Sequence, residues 1–554
     1  MQQEVPFHQL KLKLKMKFGF VLDNRKCIGC HACTVACKSE HDVPVGVNRT
    51  FVKQTEKGVF PDAKRLFSVT RCNHCTDAPC VEICPVECLH IRPDGIVDFN
   101  GDRCIGCKSC MQACPYDALY IDPDTKTAAK CNYCAPRVDI GLEPACVNVC
   151  PEHAIISGDM DDPGSEISQL LSQQNVMVRK PEKGTSPNVF YINADEISLT
   201  PQATERSDNY MWNSQANGVG HYAKFAESLS KKSYDDMASE LAGTPSTTMT
   251  FKGGGSDQPK SSMAVVMEKA NPKRVYDTPD KGILWGWEVS GYVFTKAIAA
   301  GAVLVLFMAQ LMGIGFSSET TWLAMGLGIV FIALTGVLLV MDLDQPARFV
   351  YVLLRPQWNS WLVKGGYTIT VFGGMVTVWA AGKYLEISLI ETVGFWASAI
   401  SGVMVAVYTA FLFAQAKGRD FWQSPTLPLH MLIHSVMAGA AALAIGAYFI
   451  NSTAGWDVYL GNIVVGTIAI NLVVMVFELT ISHPTEDAKR TVDMILKGRY
   501  KMNFWLGVVV FGNFLPLALI LAGVSLPIAS VITLVGIVLT ESIWVEAPQR
   551  IPLT

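Results

Sequence analysis

The chain has 554 residues, too many for one hydrophobic core, and its formal net charge of −4 gives no basic excess that would favour nucleic acid as a partner. Half of the residues are hydrophobic and the mean hydropathy is +0.26, a high value for a soluble protein. The 17 cysteines do not indicate a disulfide framework, because such frameworks belong mostly to small secreted domains.

The N-terminal segment shows no pattern typical of export. Its first twenty residues include four lysines but neither an apolar run nor a twin-arginine pair, so we expect no cleavable signal. Two short β-strands are predicted nearby. Phe18–Asp23 leads into the first group of cysteines, and Gly95–Phe99 precedes the third.

Sixteen cysteines fall into four groups in the N-terminal part of the chain. The groups are Cys27, Cys30, Cys33, Cys37; Cys72, Cys75, Cys80, Cys84; Cys104, Cys107, Cys110, Cys114; and Cys131, Cys134, Cys146, Cys150. The first and third groups match the C-x2-C-x2-C-x3-C run of bacterial ferredoxins, and a proline directly follows the last cysteine of the second, third and fourth groups. At four thiolates per cubane, the sequence predicts four 4Fe–4S clusters.

The spacing also predicts which cysteines share a cluster, because the fourth cysteine of a ferredoxin run usually reaches the neighbouring cluster. The predicted sets are Cys27, Cys30, Cys33 with Cys150; Cys131, Cys134, Cys146 with Cys37; Cys72, Cys75, Cys80 with Cys114; and Cys104, Cys107, Cys110 with Cys84. Zinc ribbons also use C-x2-C pairs, but four quartets with this spacing favour iron and sulfide. The remaining cysteine, Cys88, is interpreted as a small buried residue.

Residues 196–283 are poor in aliphatic side chains and rich in Ser, Asn, Lys and Gly, and are predicted to form an irregular linker. The linker separates a cluster domain, residues 1–195, from a membrane domain, residues 284–554.

Apolar stretches long enough to cross a membrane are predicted at about 285–314, 321–341, 363–382, 393–414, 429–450, 459–480, 503–523 and 526–545. Because a very short turn joins the last two, seven spans are the alternative. The predicted fold is thus an α+β ferredoxin-like domain with four 4Fe–4S clusters, followed by an all-α bundle of eight transmembrane helices.

The basic residues of the loops predict an orientation. With eight spans both ends of the bundle lie on one side, where the loops contain ten lysines and arginines, whereas the opposite loops contain only Lys383. The positive-inside rule then predicts a multi-pass protein of the inner (cytoplasmic) membrane with its cluster domain in the cytoplasm.

Ionisable residues in the predicted spans suggest a binding site, because such residues are costly in a bilayer and usually mark function. Those assigned to the site are Glu288, Tyr292, Lys296, Asp342, Asp344, His430 and His434. The first three recur every four residues and share one helix face, as do the two histidines. We expect a quinone headgroup site, for menaquinone or ubiquinone, with groups that exchange protons. A snorkelling lysine, interfacial charge and helix capping are the alternatives.

The tryptophans Trp285, Trp287, Trp358, Trp361 and Trp422 are predicted to be interface anchors.

The cysteine groups resemble those of the four-cluster iron–sulfur subunits of membrane-bound molybdopterin oxidoreductases, such as DMSO, polysulfide and tetrathionate reductases. The C-terminal part resembles the eight-helix, quinone-reactive NrfD-type anchor subunit of the polysulfide reductase family. Three segments carry that second resemblance: Trp285–Trp287 with Tyr292, Ala299–Gly301, and Asp342–Phe349. The family usually has glycine where this chain has Asp344. The resemblance implies a fusion of two subunits that are usually separate, and a separate catalytic partner with a molybdenum or tungsten pterin cofactor.

We therefore expect an electron-transfer and membrane-anchor subunit of a quinone-linked molybdopterin oxidoreductase, with no substrate site for the partner's reaction in this chain. A sulfur compound as the partner's substrate rests on family analogy alone. The first alternative is a module of a respiratory, quinol-oxidising, energy-converting complex related to alternative complex III. The second is a zinc-stabilised membrane scaffold.

Overall fold

The computed structural model describes residues 16–58, 62–200, 203–204, 272–278, 281–481 and 483–554. Most of the predicted linker, and the basic N-terminal segment up to residue 15, lie outside these described residues. Of the linker, the described residues include a short helix, Glu196–Leu199, and a strand, Lys273–Tyr276.

The cysteine-rich part has an α+β fold, as predicted. Its strands are β1 (Phe18–Asp23), β2 (Thr50–Lys57), β3 (Lys64–Arg71), β4 (Leu89–Ile91), β5 (Val97–Phe99), β6 (Leu119–Ile121), β7 (Ala128–Lys130), β8 (Ile155–Asp159), β9 (Val176–Met177), β10 (Val189–Ile192) and β11 (Lys273–Tyr276). Short helices cover Ala32–Glu40, Pro79–Ile83, Ser109–Ala113, Ala135–Val138, Ala145–Asn148 and Glu166–Gln173. Both predicted strands are confirmed, the second one over Val97–Phe99.

One sheet has the order β8-β1-β10-β9, with β1 parallel to β10, and a second has the order β11-β2-β3. Strand β1 is buried on both faces, because Phe20 and Leu22 pack into one apolar core and Val21 packs into another. The hairpins β4-β5 and β6-β7 each follow a cysteine group, one after the second and one after the third. The repeated cysteine pattern is therefore accompanied by a repeated hairpin.

The membrane part consists of eight long helices within the described residues. They are α1 (Trp287–Leu311), α2 (Ser318–Met341), α3 (Trp361–Tyr384), α4 (Ser388–Gln415), α5 (Leu427–Ala447), α6 (Trp456–Thr480), α7 (Asn503–Leu521) and α8 (Leu526–Glu546). Seven of them are long and apolar enough to cross a membrane. The exception is α3, whose glycines, threonines and terminal lysines make it less apolar. Helices α7 and α8 are separate, so the merger of the last pair that would have given seven spans does not occur.

Helices α1 and α5 cross at very close range. A Cβ atom added to Gly301 would lie 1.7 Å from the backbone oxygen of Ser435, and one added to Gly439 would lie 2.0 Å from the carbonyl carbon of Gly301. Only glycine permits this approach, which matches the preference for small residues at helix interfaces in membranes. The crossing fixes the position of Lys296 on α1 relative to His434 on α5.

The two parts share one apolar core, in which cluster-domain residues such as Ile105 pack with bundle residues such as Val289. The segment after α2 forms much of the seam. The backbone N–H of Gln345 donates to the Ile105 backbone oxygen at 3.2 Å. The Arg348 guanidinium donates to the backbone oxygens of Gly101 and Cys104 at 2.9 and 3.1 Å. The third cysteine loop is therefore held directly against the bundle.

Candidate redox centres and membrane cavity

The first C-x2-C pair of each of the four groups has the same local backbone conformation. The residue before the second cysteine of each pair has positive φ: Gly29, His74, Gly106 and Tyr133 lie between 42° and 71°. A left-handed residue at this point turns the backbone and brings the two thiols to one side. It also directs backbone N–H groups at sulfur, since the Gly106 amide lies 3.4 Å from Cys104 Sγ.

The thiols of the predicted sets lie near one another. Burial raises the pKa of Cys37, and the neighbouring thiols of Cys131 and Cys146 raise it further. The pKa of Cys27 is raised in the same way, by burial and by the thiol of Cys150. These electrostatic interactions show that thiols of the first and fourth groups along the chain lie near one another, and the assignment of cysteines to clusters stays a prediction.

The second and third groups are joined in the same manner. Burial raises the pKa of Cys75, as do the thiols of Cys72 and Cys114. Burial raises the pKa of Cys107 to about 12, to which Cys84 contributes. Each fourth cysteine thus lies beside the other group of its pair.

Positive charge lies between two of the sets. The Arg71 side chain is 2% exposed, its Nη1 lies 3.3 Å from Cys146 Sγ, and it stacks on Phe20. Within the described residues, its Nε and Nη2 have no hydrogen-bond partner. A buried guanidinium with unused donors among thiols fits an anionic iron–sulfur cluster, whose sulfides accept hydrogen bonds. The cysteine-rich part therefore has both the ligands and the electrostatic environment for such clusters.

The sequence indicates only a small buried residue at Cys88, and Cys88 is indeed 2% exposed. Its thiol also lies beside those of Cys104 and Cys84, and this interaction lowers the pKa of Cys104. A low pKa favours the thiolate, which is the form that binds iron. No spacing rule predicts this contact.

The third cysteine loop reaches the membrane part through Lys108. The Lys108 ammonium donates to the Asp342 backbone oxygen at 3.2 Å and lies 3.3 Å from the Asp344 carboxylate and 4.0 Å from that of Asp342. Asp344 also packs against Gly106, where an added Cβ would lie 2.6 Å from its own Cβ. Asp344 therefore belongs to the seam between the two parts, and it does not line the cavity described next.

An apolar cavity of about 580 Å³ lies between α1, α2, α3 and α4, directly beneath that loop. Its polar lining includes Cys107 and Ser109 from the cluster domain, and Tyr292, Asp342 and Tyr408 from the bundle. The rest is mostly aliphatic, and includes Val337 and Met341, which are 53% and 57% exposed on the outer surface of α2. A cavity of this size and lining suits an apolar ligand with a polar head.

Trp285 connects the cavity to the cysteine loop. Its Nε1 donates to the Cys107 backbone oxygen at 3.1 Å, and its ring stacks on Phe413 and Trp422. Trp285 is 3% exposed and Trp422 is 1% exposed, so the prediction that these two are interface anchors is wrong. Sequence statistics for tryptophan in membrane proteins do not distinguish a lipid-facing ring from one packed beneath a docked domain.

Asp342 is the carboxyl group of the cavity. Burial raises its pKa to about 7, the charge of Lys108 lowers it, and the carboxylates of Glu288 and Asp344 raise it. Asp342 is therefore able to exchange a proton near neutral pH. Glu288 lies nearby on α1 but does not line the cavity.

The two predicted histidines lie behind the cavity in a buried polar network. His430 Nδ1 lies 2.7 Å from Glu478, and His434 Nδ1 lies 2.6 Å from Glu541. Lys296 lies between the network and the cavity: it donates to the oxygens of Val405 and Ala406 and lies 5.0 Å from the centre of the Tyr408 ring.

The predicted site residues thus divide into three places. Tyr292 and Asp342 line the cavity, and Glu288 and Asp344 lie towards the seam. His430 and His434 belong to the network, and Lys296 lies between the network and the cavity. Nothing in the sequence singles out Tyr408, because a tyrosine within an apolar helix is common. The same holds for Asn471, which the network includes.

Comparison with known proteins agrees with this division of the chain. Residues 25–44 match the 4Fe-4S binding domain, residues 63–160 match the 4Fe-4S dicluster domain, and residues 278–548 match the domain described as polysulphide reductase, NrfD. The membrane part therefore carries an NrfD domain, and the chain is a multi-pass membrane protein.

Similar proteins are found for the cysteine-rich part. A subunit of tetrathionate reductase from Salmonella typhimurium is 44% identical over 189 residues, which cover 33% of this chain and 76% of that protein. The iron–sulfur subunit of arsenate respiratory reductase from Shewanella sp. is 37% identical over 225 residues, covering 32% and 96%. A subunit of polysulfide reductase from Wolinella succinogenes is 42% identical over 179 residues, covering 32% and 94%. The protein belongs to the family of these iron–sulfur reductase subunits, joined in one polypeptide to an NrfD-type membrane domain.

Proposed function

We propose that the chain is the electron-transfer and membrane-anchor subunit of a quinone-linked molybdopterin oxidoreductase. The observation that carries this proposal is the shared wall of the cavity, where Cys107 of the cluster domain and Tyr292 of the bundle line the same space. Electrons exchanged in the cavity would therefore have a cluster ligand within reach.

The proposed relay contains four 4Fe–4S clusters, held by the four cysteine sets predicted from the spacing. When bound, the clusters accept and release electrons one at a time. The protein keeps most of the ligands dry: among the sixteen cysteines only Cys30 is exposed, and Cys27 and Cys150 are half-buried. The relay would thus have one end at the protein surface and another at the cavity.

The cavity is the proposed quinone site. Its aliphatic lining would hold the ring and tail, and the hydroxyl groups of Tyr292 and Tyr408 would donate to the ring oxygens. Asp342 would take up one of the protons released when a quinol is oxidised. Trp285 would keep the third cysteine loop at a fixed distance from the quinone. Glu288, Lys296, Asp344, His430 and His434 would act from outside the cavity wall.

The exposed end of the relay is the proposed docking face for the catalytic partner. This end is the predicted set of Cys27, Cys30, Cys33 and Cys150. Three apolar residues lie within a few positions of these cysteines in the sequence: Ile28, Val35 and Val149, which are 55%, 65% and 40% exposed. Exposed apolar groups around a redox centre suit a permanent partner. The relatives are named as subunits of tetrathionate, arsenate and polysulfide reductases, which supports a pterin-containing partner acting on a sulfur compound or a similar oxyanion.

The proposed location is the inner membrane, with the cluster domain in the cytoplasm. The basic loops support it, because the loops at the cluster-domain ends of the eight helices contain nearly all of the lysines and arginines. A fluorescent label on a cysteine introduced at Tyr384, at the opposite end of α3, would test the orientation. We expect that label to react in intact cells after removal of the outer membrane, and a label in the cluster domain to react only after lysis.

The test of the proposed function is reduction of the purified protein with a quinol. We expect iron and sulfide in the protein, cubane signals in its electron paramagnetic resonance (EPR) spectrum, and reduction of the clusters by a quinol as well as by dithionite. Tyr292→Phe should slow reduction by the quinol and leave reduction by dithionite unchanged. Tyr384→Phe, a matched change at an exposed tyrosine, should leave both rates unchanged. Zinc without iron, or clusters that dithionite reduces but no quinol reduces, would refute the proposal.

A further inference from the structure

A buried network of polar side chains lies behind the cavity. It begins at the cluster-domain end of the bundle, where Ser424 and Thr426 are half-buried and their hydroxyl oxygens lie 2.7 Å apart. Thr426 donates to Glu478 at 2.9 Å, and Glu478 contacts His430 at 2.7 Å. The rings of His430 and His434 have centres 4.2 Å apart. A row of polar groups therefore runs from the surface to the interior of the bundle.

The donors around Glu478 favour its carboxylate form. Trp544 Nε1 can only donate, and it lies 3.2 Å from Glu478 Oε2. Thr426 donates to the other oxygen. In the carboxylate form both oxygens only accept, and His430 Nδ1 then carries the hydrogen that it shares with Glu478. The free position for a further proton on His430 is then Nε2.

A chain of amides fixes the tautomer of His434. Asn513 Nδ2 donates to the backbone oxygen of Val508 at 2.8 Å, so its Oδ1 faces Asn471. Asn471 must present its Nδ2 to that oxygen, at 3.1 Å, and therefore presents its Oδ1 to His434 Nε2, also at 3.1 Å. His434 Nε2 thus carries a hydrogen.

It follows that His434 and Glu541 share one mobile proton. His434 Nδ1 and Glu541 Oε1 lie 2.6 Å apart. Without a proton between them both atoms would be acceptors, so the short distance requires a shared proton. The pair is neutral with that proton and has one negative charge without it. Lys296 interacts electrostatically with Glu541 and would balance the negative charge.

We propose that the His434–Glu541 pair is a proton store for the quinone chemistry, and that the row from His430 to Ser424 connects it to the cluster-domain side of the membrane. This inference rests on the proposed quinone site. Oxidation of a quinol releases two electrons, which go one at a time to the clusters, and two protons. One proton goes to Asp342. The shared proton of the pair moves to His430 and leaves through Glu478 and Thr426, and the second quinol proton refills the pair by way of Tyr408 and Lys296.

Both protons would then appear on the side of the cluster domain, and quinol oxidation would move no charge across the membrane. Within the described part of the bundle, the buried histidines, glutamates and Lys296 all lie in the half nearer that side. This distribution disfavours the alternative of a proton-pumping module.

The variant that tests the store is Glu541→Gln, which keeps the shape but cannot release a proton. We expect quinol-driven reduction of the clusters to slow by about a hundredfold, the usual scale for loss of a positioned acid or base. The KM for quinol and reduction by dithionite should not change, since Glu541 does not line the cavity. Glu541→Asp should restore part of the rate. Glu546→Gln, on the same helix but partly exposed and paired with Arg550, is the matched control.

Proton release in vesicles provides a second readout that needs no variant. The wild-type protein should release two protons per quinol on the cluster-domain side. Release of one proton on the opposite side would overturn the inference, and so would a normal rate in Glu541→Gln. A metal ion bound in stoichiometric amount and lost in His434→Gln would also overturn it, because ligand atoms of His430, His434 and Glu541 lie within 4.8 Å of one another. If the wild-type protein does not oxidise quinol at all, the proposed function fails first.

Discussion

Replacing Lys108 with methionine should shift the pH dependence of quinol oxidation. The Lys108 ammonium lies 4.0 Å from the Asp342 carboxylate, whose pKa is about 7. At that distance two unit charges interact by about 4 kcal/mol at an effective dielectric constant of 20 and by about 1 kcal/mol in water. Both side chains are partly exposed, at 18% and 13%, so solvent weakens the interaction. Since 1.36 kcal/mol corresponds to one pKa unit, we expect the midpoint to rise by about one pH unit.

The direction of the shift follows from the role of Asp342. It must be a carboxylate to accept a proton from the quinol, so the rate should rise as the pH increases through about 7. Without Lys108 the carboxyl group holds its proton to higher pH, and the rate at pH 7 should fall. Stopped-flow measurement of cluster reduction by a quinol at several pH values tests this. Lys497→Met, at a 79% exposed lysine paired with Asp493, is the control. An unchanged midpoint with intact clusters would refute the role assigned to Asp342.

Three further changes test other parts of the structure. Trp285→Ala should destabilise the protein by about 3–5 kcal/mol, the usual cost of removing a buried tryptophan, which denaturation measures. It should also slow electron transfer more than Trp285→Phe does, which stopped-flow kinetics measures. Gly301→Ala should prevent close packing of α1 and α5 and reduce the yield of folded protein, whereas Gly326→Ala, with no atom within 4 Å of the added Cβ, should not; size-exclusion chromatography in detergent distinguishes the two. Cys30→Ser should remove about a quarter of the iron and one EPR signal if each set holds one cubane, and an unchanged iron content would contradict the ligand assignment.

The spacing of the cysteines is informative because it acts locally. Left-handed residues such as Gly106 fold the first C-x2-C pair of each group in the same way. The nearness of Cys37 and Cys84 to thiols of the other group is also predictable, since it is a property of the repeat. The apolar stretches likewise predict the helices to within a few residues, because length and hydrophobicity alone decide whether a segment can span a bilayer.

The membrane site is less predictable, because it depends on how helices that are distant in sequence pack together. Tyr292 and Lys296 lie one turn apart on the same face of α1, yet the first lines the cavity and the second lies behind Tyr408. The surroundings of Trp285 and Asp344 depend on the third cysteine loop, which is distant from both in the sequence: Cys107 precedes Trp285 by 178 residues. Helical periodicity describes one helix and contains no information about what docks on its end.

The most direct test of the proposed relay is freeze-quench EPR of the membrane-reconstituted protein mixed with a quinol under anaerobic conditions. We predict that cubane signals appear within the turnover time, and that Tyr292→Phe delays them while dithionite still produces them in full. Full signals with dithionite and none with any quinol would contradict the claim that the cavity delivers electrons to the clusters.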